Sequence, residues 1–241
     1  MTKPMPGLRR VPAFRTIPFL KPGADTETVV LTDRQREALT HIGTRVRLPA
    51  RMLIYREDSA AQWVFAVTEG AVKSYRELPS GKRSVVAFLF ARDLFGLASN
   101  GRYVNSTQAI TRVTLYRLPL DALAVLLKHD GDMQFKFLAK VTHELRESQR
   151  RAILINRRDA AGRLATFIAW MGERADRAVN GGRVVQMPMT RSDIAGFLGL
   201  SLESVSRAAA ELERRHLVRF ESRHLARIVD TAGLARLVAA L

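Results

Sequence analysis

The fold of the carboxy-terminal region is decided by residues 190–207, which read Thr-Arg-Ser-Asp-Ile-Ala-Gly-Phe-Leu-Gly-Leu-Ser-Leu-Glu-Ser-Val-Ser-Arg. Thr190 followed by Asp193 forms an imperfect capping box and predicts the start of a short helix. Gly199 supplies the backbone freedom that a tight turn requires. Ser201 is a favourable N-cap for a second helix. The stretch is therefore predicted to form two short helices joined by a glycine turn.

The second predicted helix has a buried side and an exposed side. The inward positions are Val205, Ala208, Ala209 and Leu212. The outward stripe, at helical spacing, is Glu203, Ser206, Arg207, Ala210 and Arg214. A carboxylate can accept a hydrogen bond from cytosine N4, and a guanidinium can bind guanine O6 and N7 with two parallel bonds. The pattern favours a helix-turn-helix that reads DNA bases through Glu203, Ser206 and Arg207 over a plain helical hairpin with a solvated face.

A basic β-hairpin is predicted to follow these helices. Residues 218–221 and 226–229 are its strands, and Arg223 lies in the loop between them. Thr231 is predicted to cap a final helix. A helix-turn-helix followed by such a hairpin is a winged helix, whose loop would lie along DNA phosphates. Residues expected to contact phosphates or to support the fold are Thr190, Arg191, Ser192, Ser201, Ser204, Arg214 and Arg223.

The composition indicates a polyanionic partner. The chain has 241 residues, and its 39 Lys and Arg against 23 Asp and Glu give a formal net charge of +16. Arginine dominates the excess and suits two-point contacts to phosphates and bases better than lysine does. No apolar run approaches the roughly 20 residues that span a bilayer, and no signal peptide is apparent. Double-stranded DNA is therefore the expected partner, with no membrane contact, and we expect a cytoplasmic protein.

The region before residue 131 differs from the rest in its sequence pattern. Residues 1–30 are rich in proline and are interpreted as an extended arm. A short helix is predicted from Thr32 to Ile42, capped by Thr32 or Asp33. Short alternating segments between residues 45 and 118, separated by turn signals, predict a compact β-barrel or roll. The final segment, residues 107–118, is interpreted as one β-rich run.

A long helix after Gly131 shows an apolar seam. Its members are spaced by three and four residues and are Leu138, Val141, Leu145, Ser148, Ala152 and Ile155. Burial inside one domain would also explain such a seam, but the other faces of the helix carry many charges. The pattern favours a two-fold dimer seam, with Ser148 as a polar position that fixes the register.

The order of β-roll, long helix and winged helix-turn-helix resembles the CRP/FNR superfamily of bacterial transcription regulators. Two segments contribute to this similarity, Asp159-Ala-Ala-Gly-Arg-Leu164 and Glu203-Ser-Val-Ser-Arg207. The segment from Glu203 to Arg207 is similar to the FNR/FixK branch, whose members bind two-fold symmetric sites with TTGA…TCAA-like half-sites. The resemblance implies that Glu203, Ser206 and Arg207 read these bases, and that RNA polymerase is a further partner.

The chain departs from the superfamily where its members sense signals. Leu97 stands where cyclic-nucleotide members place a ribose-binding Glu, and Asn105 stands where they place a phosphate-binding Arg. Without that guanidinium, the cost of removing a phosphate charge from water would be poorly compensated, so cyclic nucleotide binding is not expected. The absence of cysteine excludes a thiolate-held iron–sulfur cluster and a zinc-thiolate site.

Haem is the remaining cofactor known in the superfamily. The histidines, which are more often surface or packing residues than ligands, are His41, His129, His143, His216 and His224. No cofactor and no metal site are therefore expected. Arg102 and Tyr103 leave open a contact with an unknown small ligand in the roll, against the alternative of ordinary roll surface.

The predicted fold class is α+β. It comprises an arm (1–30), a cyclic-nucleotide-binding-like β-roll or double-stranded β-helix (31–130), a dimerisation helix (131–156) and a winged helix-turn-helix domain (157–241). No catalytic constellation or phosphate-binding loop occurs in the sequence, so no enzymatic activity is expected. The predicted function is a homodimeric, sequence-specific regulator, which need not be gated by a signal. The alternatives are a non-specific architectural DNA-binding protein and a regulator gated by haem or a small ligand.

Overall fold

The computed structural model describes residues 31–91, 93–96, 98, 100–156, 159–173, 178–179 and 182–239. The predicted arm, residues 1–30, lies outside them, as does Leu97. Within the described part, contacts divide the chain into two compact units. The first runs to Arg76 and resumes over Val86–Ser148, and the second comprises Glu77–Val85 and Gln149–Leu241. The boundary between the units therefore falls inside the predicted dimerisation helix, before its end at residue 156.

The first helix, α1 (Asp33–Ile42), begins where its capping residue predicts. The side chain of Thr32 accepts a hydrogen bond from the Gln35 backbone N–H, and the Gln35 side chain accepts one from the Thr32 N–H. This reciprocal capping box satisfies two donors that a helix start would otherwise leave unpaired. Of the two predicted caps, Thr32 is therefore the correct one.

Eight short strands form the β-roll that the alternating segments predict. They are β1 (Thr44–Leu48), β2 (Leu53–Tyr55), β3 (Trp63–Glu69), β4 (Ala71–Glu77), β5 (Arg83–Phe90), β6 (Leu94–Phe95), β7 (Ser106–Ala109) and β8 (Val113–Pro119). Two four-stranded sheets result, with the orders β1-β8-β3-β6 and β2-β7-β4-β5. The run 107–118 is not one strand, because the chain turns between Ala109 and Val113 and places β7 and β8 in different sheets.

A polar network joins α1 to the long helix of the first unit. Helix α2 (Leu120–His129) is followed by α3 (Gly131–Asn156), which is the long helix that the sequence predicts. The side-chain amide of Gln35 donates to Asp130 and Asp132, at 3.0 and 2.9 Å. The ammonium of Lys136, which is buried, donates to Gln35 at 2.9 Å and pairs with Asp132 at 2.6 Å. The network compensates a cation that would otherwise be costly to bury.

The same contacts keep both carboxylates ionised. The hydrogen bond from Lys136 holds the pKa of Asp132 below its ordinary value, with a smaller contribution from Gln35. The backbone N–H of Met133 and the amide of Gln35 do the same to the pKa of Asp130. A carboxyl group whose pKa is lower in the folded chain than in the unfolded chain stabilises the fold at pH values above its unfolded pKa. This stabilisation is lost as the pH falls through the pKa of the folded chain.

The second unit has the order expected of a winged helix. Its elements are α4 (Ala160–Glu173), β9 (Ala178–Val179), β10 (Gly182–Gln186), α5 (Arg191–Leu198), α6 (Leu202–Arg214), β11 (Val218–Ser222), β12 (Leu225–Ile228) and α7 (Thr231–Ala239). The strands form an antiparallel sheet in the order β11-β12-β10-β9. Asp159 caps α4, its carboxylate accepting from the Gly162 N–H. None of the described helices is long and apolar enough to cross a membrane.

The predicted cap of the last helix is wrong by one residue. Thr231 is the first residue of α7, and the carboxylate of Asp230 accepts from the Gly233 N–H at 2.8 Å. Both residue types are good N-caps, so local preference does not separate them. The end of β12 at Ile228 leaves Asp230 in the capping position.

We expect Asp132→Asn to lower the free energy of unfolding at neutral pH, because it removes the charge that pairs with Lys136. The difference from wild type should begin to shrink as the pH falls below about 4, the ordinary pKa of an aspartate, and should close below the lowered pKa of Asp132 in the folded chain. Urea unfolding at several pH values measures it. Asp121→Asn, in the first turn of α2, is the control. A difference that persists unchanged at pH 3 would contradict the role of the charge.

Candidate nucleic-acid interface

The helix-turn-helix begins at a complete capping box. The hydroxyl of Thr190 accepts from the Asp193 N–H at 3.1 Å, and the carboxylate of Asp193 accepts from the Thr190 N–H at 3.1 Å. Helix α5 ends at Gly199, whose φ of 64° is in the left-handed region and whose N–H donates to the Ala195 carbonyl. A side chain at Gly199 would be strained in this conformation. The predicted turn is therefore confirmed in detail.

The second helix presents the predicted two sides. The hydroxyl of Ser201 caps α6 by accepting from the Ser204 N–H at 3.1 Å. The four inward residues are all buried, as expected: Val205, Ala208, Ala209 and Leu212. Of the outward stripe, Glu203 and Arg207 are exposed, and Ser206 is half-buried. The structure therefore brings the three predicted base readers together on one accessible face.

The carboxylate of Glu203 is held in its charged form. Its pKa lies below the ordinary value because its own backbone N–H and the Ser201 side chain hydrogen-bond to it, with smaller contributions from Arg207 and Lys82. The guanidinium of Arg207 donates to the Ser204 hydroxyl at 3.3 Å. An ionised carboxylate accepts hydrogen bonds only, so Glu203 is chemically suited to an amino group at the edge of a base.

One exposed residue at the start of α6 is absent from the sequence-based set. Leu202, the first residue of the helix, is 48% exposed and lies between the cap and Glu203. An apolar side chain at the solvent-facing tip of a recognition helix can contact the methyl group of thymine. The sequence contains the signal, an apolar residue directly after an N-cap, but periodicity alone assigns such a residue to neither face.

The wing is a tight hairpin beside these helices. Strands β11 and β12 are joined by Arg223 and His224, and Arg223 is exposed. The His224 carbonyl accepts from the Met187 N–H at 2.8 Å, and the Glu213 carboxylate accepts from the Phe220 N–H at 2.9 Å. These bonds attach the loop and the first strand of the hairpin to other parts of the same unit.

The predicted supporting residues have differing surroundings. Thr190, Ser201 and Ser204 act in the two caps, and Arg191 and Ser192 are exposed in the first turn of α5. Arg214 is exposed but forms an ion pair with Glu211 at 2.6 Å. A phosphate contact by Arg214 would therefore compete with this pair.

The end of α5 is held by two arginines. The Nε of Arg151, near the end of α3, donates to the Phe197 carbonyl at 3.1 Å. The Nη1 of Arg163, in α4, donates to the Leu198 carbonyl at 2.9 Å. The last carbonyl groups of a helix lack partners within the helix, and these guanidinium groups supply them. The position of the turn therefore depends on side chains from two other helices.

The α5 helix also meets the end of the β4–β5 hairpin, which belongs to the same compact unit. A Cβ added at Gly196 would lie 2.6 Å from the Arg83 carbonyl oxygen and 3.4 Å from Val85 Cγ2. A carbonyl oxygen of the backbone cannot move aside as a flexible side chain can. Glycine at this position is therefore required by the close approach of another part of the backbone.

The predicted dimer seam is exposed over much of its length. Leu138, Val141 and Leu145 are 50%, 47% and 59% exposed, and Ser148 and Ala152 are exposed as well. Ile155 differs from them, since it is half-buried and its side chain lies 3.9 Å from where a Cβ at Gly199 would be. The end of the seam therefore also supports the helix-turn-helix.

Aromatic rings fill the interior of the β-roll. The rings of Tyr55 and Tyr103 stack at 3.8 Å between centroids, Phe65 lies 5.6 Å from Tyr55, and Phe95 lies 5.1 Å from Phe65. The Tyr103 hydroxyl donates to the Trp63 carbonyl at 2.8 Å. Burial raises the pKa of both tyrosines, most strongly that of Tyr55. Tyr103 is thus a core residue of the roll.

Asn105 and Arg102 differ in their surroundings. Asn105 is half-buried, and Arg102 pairs with Asp58 outside the aromatic interior, donating to its backbone carbonyl. His129 contacts the Val125 carbonyl within its own helix. Among the described residues, no group of three or more histidine and carboxylate side chains is arranged to hold a metal ion.

Comparisons with known proteins agree with this architecture. Residues 162–237 match the Crp-like helix-turn-helix domain, and residues 45–130 match the cyclic nucleotide-binding domain. The transcriptional activatory protein AadR of Rhodopseudomonas palustris is 31% identical over 76% of each chain. The nitrogen fixation regulation protein FixK of Bradyrhizobium diazoefficiens is 29% identical over 72% of this chain and 73% of that one.

The solved structures show the same similarity. FixK2 from Bradyrhizobium japonicum superposes with a TM-score of 0.77 and 32% identity, covering 83% of this chain and 99% of that chain. CooA from Carboxydothermus hydrogenoformans, at 17% identity and a TM-score of 0.72, shares the fold.

We expect Gly196→Ala to destabilise the second unit by about 1–3 kcal/mol, because the new methyl group overlaps the Arg83 carbonyl. The gain in helix propensity from Gly to Ala, about 1 kcal/mol, opposes this effect without cancelling it. Urea unfolding monitored at Trp170 measures the change. Gly131→Ala is the matched control, since a Cβ there has nothing within 4 Å. Equal stability of the two variants would show that the hairpin does not pack on α5.

Proposed function

Because the chain belongs to the CRP/FNR family of DNA-binding transcription regulators, on its FixK-like branch, we propose that it acts as a homodimer on a specific operator. The operator is a two-fold symmetric TTGA…TCAA-like site, and Glu203, Ser206 and Arg207 read its bases. The observation that carries the proposal is the exposed pair of Glu203 and Arg207 on a capped helix whose opposite side is buried. Such a helix can enter a major groove with its amino-terminal residues against the base edges.

Glu203, Arg207 and Leu202 each have a chemical counterpart in the half-site. The ionised carboxylate of Glu203 accepts from the amino group of cytosine, and Arg207 donates two bonds to guanine O6 and N7. Leu202 lies one residue before Glu203 and contacts a thymine methyl group. A half-site containing T, G and A together with its complement offers all of these edges. The reading face therefore matches the chemistry of a TTGA-like sequence.

Phosphate contacts supply affinity without sequence choice. We propose that Arg223 of the wing and Arg191 at the start of α5, both of which are exposed, bind the DNA backbone. The backbone N–H groups at the start of a helix also favour anions. The net charge of +16 adds a salt-dependent attraction to any DNA. Specificity then comes from α6, and affinity comes largely from these cations.

Dimerisation places two recognition helices on one face of the duplex. The exposed side chains of Leu138, Val141 and Leu145 form an apolar stripe on a helix of 26 residues. A stripe of this kind is stabilised by pairing with the same stripe of a second copy. The two reading helices are then about 34 Å apart, one turn of the duplex.

The β-roll works without a cyclic nucleotide. The proposal is supported by the stacked rings of Tyr55, Phe65, Phe95 and Tyr103, which pack against one another inside the roll. Displacing them would expose buried aromatic surface to water. The dimer is therefore competent to bind DNA without a small ligand or haem, and its abundance sets its activity. It acts in the cytoplasm, contacts RNA polymerase and has no enzymatic activity.

Arg207→Ala tests the base-reading role. We expect a loss of about 1–3 kcal/mol of binding free energy on the preferred duplex and much less on a scrambled duplex. Fluorescence anisotropy titrations at two salt concentrations separate base readout from phosphate attraction. Arg236→Ala, at an exposed position of α7, controls for the loss of one charge. Equal losses on both duplexes would indicate a non-specific architectural protein instead.

Millimolar cyclic AMP or cyclic GMP should shift the melting temperature by less than about 1 °C, because a ligand that does not bind the folded chain does not stabilise it. Affinity for the operator should also stay unchanged in their presence. Differential scanning fluorimetry measures the first quantity, with the operator duplex as the positive control. A saturable increase in melting temperature would show a functional ligand site in the roll.

A further inference from the structure

The bond between Arg151 and α5 joins the end of the dimerisation helix to the turn that orients the recognition helix. Helix α3 runs without a break from Gly131 to Asn156 and carries the apolar stripe. Its last residues, from Gln149 onward, belong to the same compact unit as α5 and α6. The Arg151 guanidinium donates to the carbonyl of Phe197, which lies 46 residues later in the chain.

Arg151 contacts Phe197 in two ways at once. Besides the bond to the carbonyl, the guanidinium carbon lies 5.3 Å from the centre of the Phe197 ring. That ring also stacks on Trp170 of α4 at 6.0 Å, with 13° between the planes, and is tilted against Phe167 at 5.6 Å. Phe197 is therefore fixed by contacts from α3 and from α4.

A second contact reinforces the first. The side chain of Ile155, one helical turn after Arg151, lies close to Gly199. Arg163 donates to the carbonyls of Leu198 and Gly199 at 2.9 and 3.4 Å. The Phe197–Gly199 segment is thus held by α3 through Arg151 and Ile155, and by α4 through Arg163. A change in the angle between the last turns of α3 and α5 would break the contacts made by Arg151 and Ile155.

We infer that Arg151 is a positioning residue that fixes the last turns of α3 against α5 and so determines which half-site spacing the dimer accepts. The inference rests on the proposed dimeric, operator-reading function. A reading helix that is rigidly attached to the dimer helix can meet both half-sites only when they are one particular distance apart. A looser attachment lets each reading helix follow its own half-site, so the dimer accepts several spacings. The gain in affinity from binding both half-sites at once is then smaller.

The chemistry of arginine suits this role. Its planar guanidinium donates in the plane to a carbonyl while one face lies against an aromatic ring. Lysine has a point charge on a flexible stem and makes either contact with less directional preference. The Arg151 side chain is half-buried, so part of it is shielded from solvent where these contacts are made.

The test measures affinity as a function of half-site spacing. Wild type, Arg151→Gln and Arg151→Lys are titrated by fluorescence anisotropy against symmetric duplexes whose spacer is changed by one and two base pairs, and against a duplex with one half-site. We expect wild type to prefer one spacer by about tenfold or more over its neighbours. Arg151→Gln should lose most of this preference while its affinity for the single half-site changes less than about twofold. Arg151→Lys should show an intermediate preference.

Two controls separate positioning from folding and charge. Arg34→Gln removes one charge from an exposed position of α1 and should keep the wild-type spacer preference. Near-ultraviolet circular dichroism of Trp170 and thermal melting show whether each variant is folded at the temperature of the titration. If Arg151→Gln does not fold, the spacer profile of Arg151→Lys alone decides whether Arg151 has the positioning role.

The possible outcomes distinguish this inference from the proposed function. Equal loss of affinity on every spacer and on the half-site, or an unchanged profile, overturns the positioning role of Arg151. A wild-type protein without any spacer preference instead contradicts the dimeric function on which the inference rests.

Discussion

The carbonyl groups at the end of α5 impose the constraint on which the rest of the second unit depends. A helix cannot satisfy its own last carbonyls, and here they point towards Arg151 and Arg163, which belong to two other helices. The left-handed conformation of Gly199 then directs the chain into α6. The orientation of the recognition helix is thus set by hydrogen bonds and ring contacts at one junction, and not by α5 and α6 alone.

The β-roll has the architecture of a cyclic nucleotide-binding domain, with aromatic rings packed against one another inside it. A stack that includes Tyr55, Phe65 and Phe95 occupies the roll, and Tyr103 closes it with a hydrogen bond to the backbone. The Gln35–Lys136 network joins α1 to the first turns of α3.

Local chemistry explains how much of the fold the sequence predicts. The caps at Thr32, Thr190 and Ser201 and the turn at Gly199 depend on neighbours within four residues, and each is found as predicted. The two-residue strands β6 and β9 are too short to show alternation. The Arg151 contact depends on a residue 46 positions away, so no local pattern reveals it. The exposure of Leu202 is not predicted from the sequence for another reason, because it depends on how α6 packs.

The most direct test of the account is a hydroxyl-radical footprint of the wild-type protein on its preferred operator. A dimer with two reading helices should protect two segments related by two-fold symmetry, with centres about ten base pairs apart. Protection should fall on the same face of the duplex in both half-sites. A single protected segment, or uniform protection along the duplex, would contradict a symmetric reader built on α3 and α6.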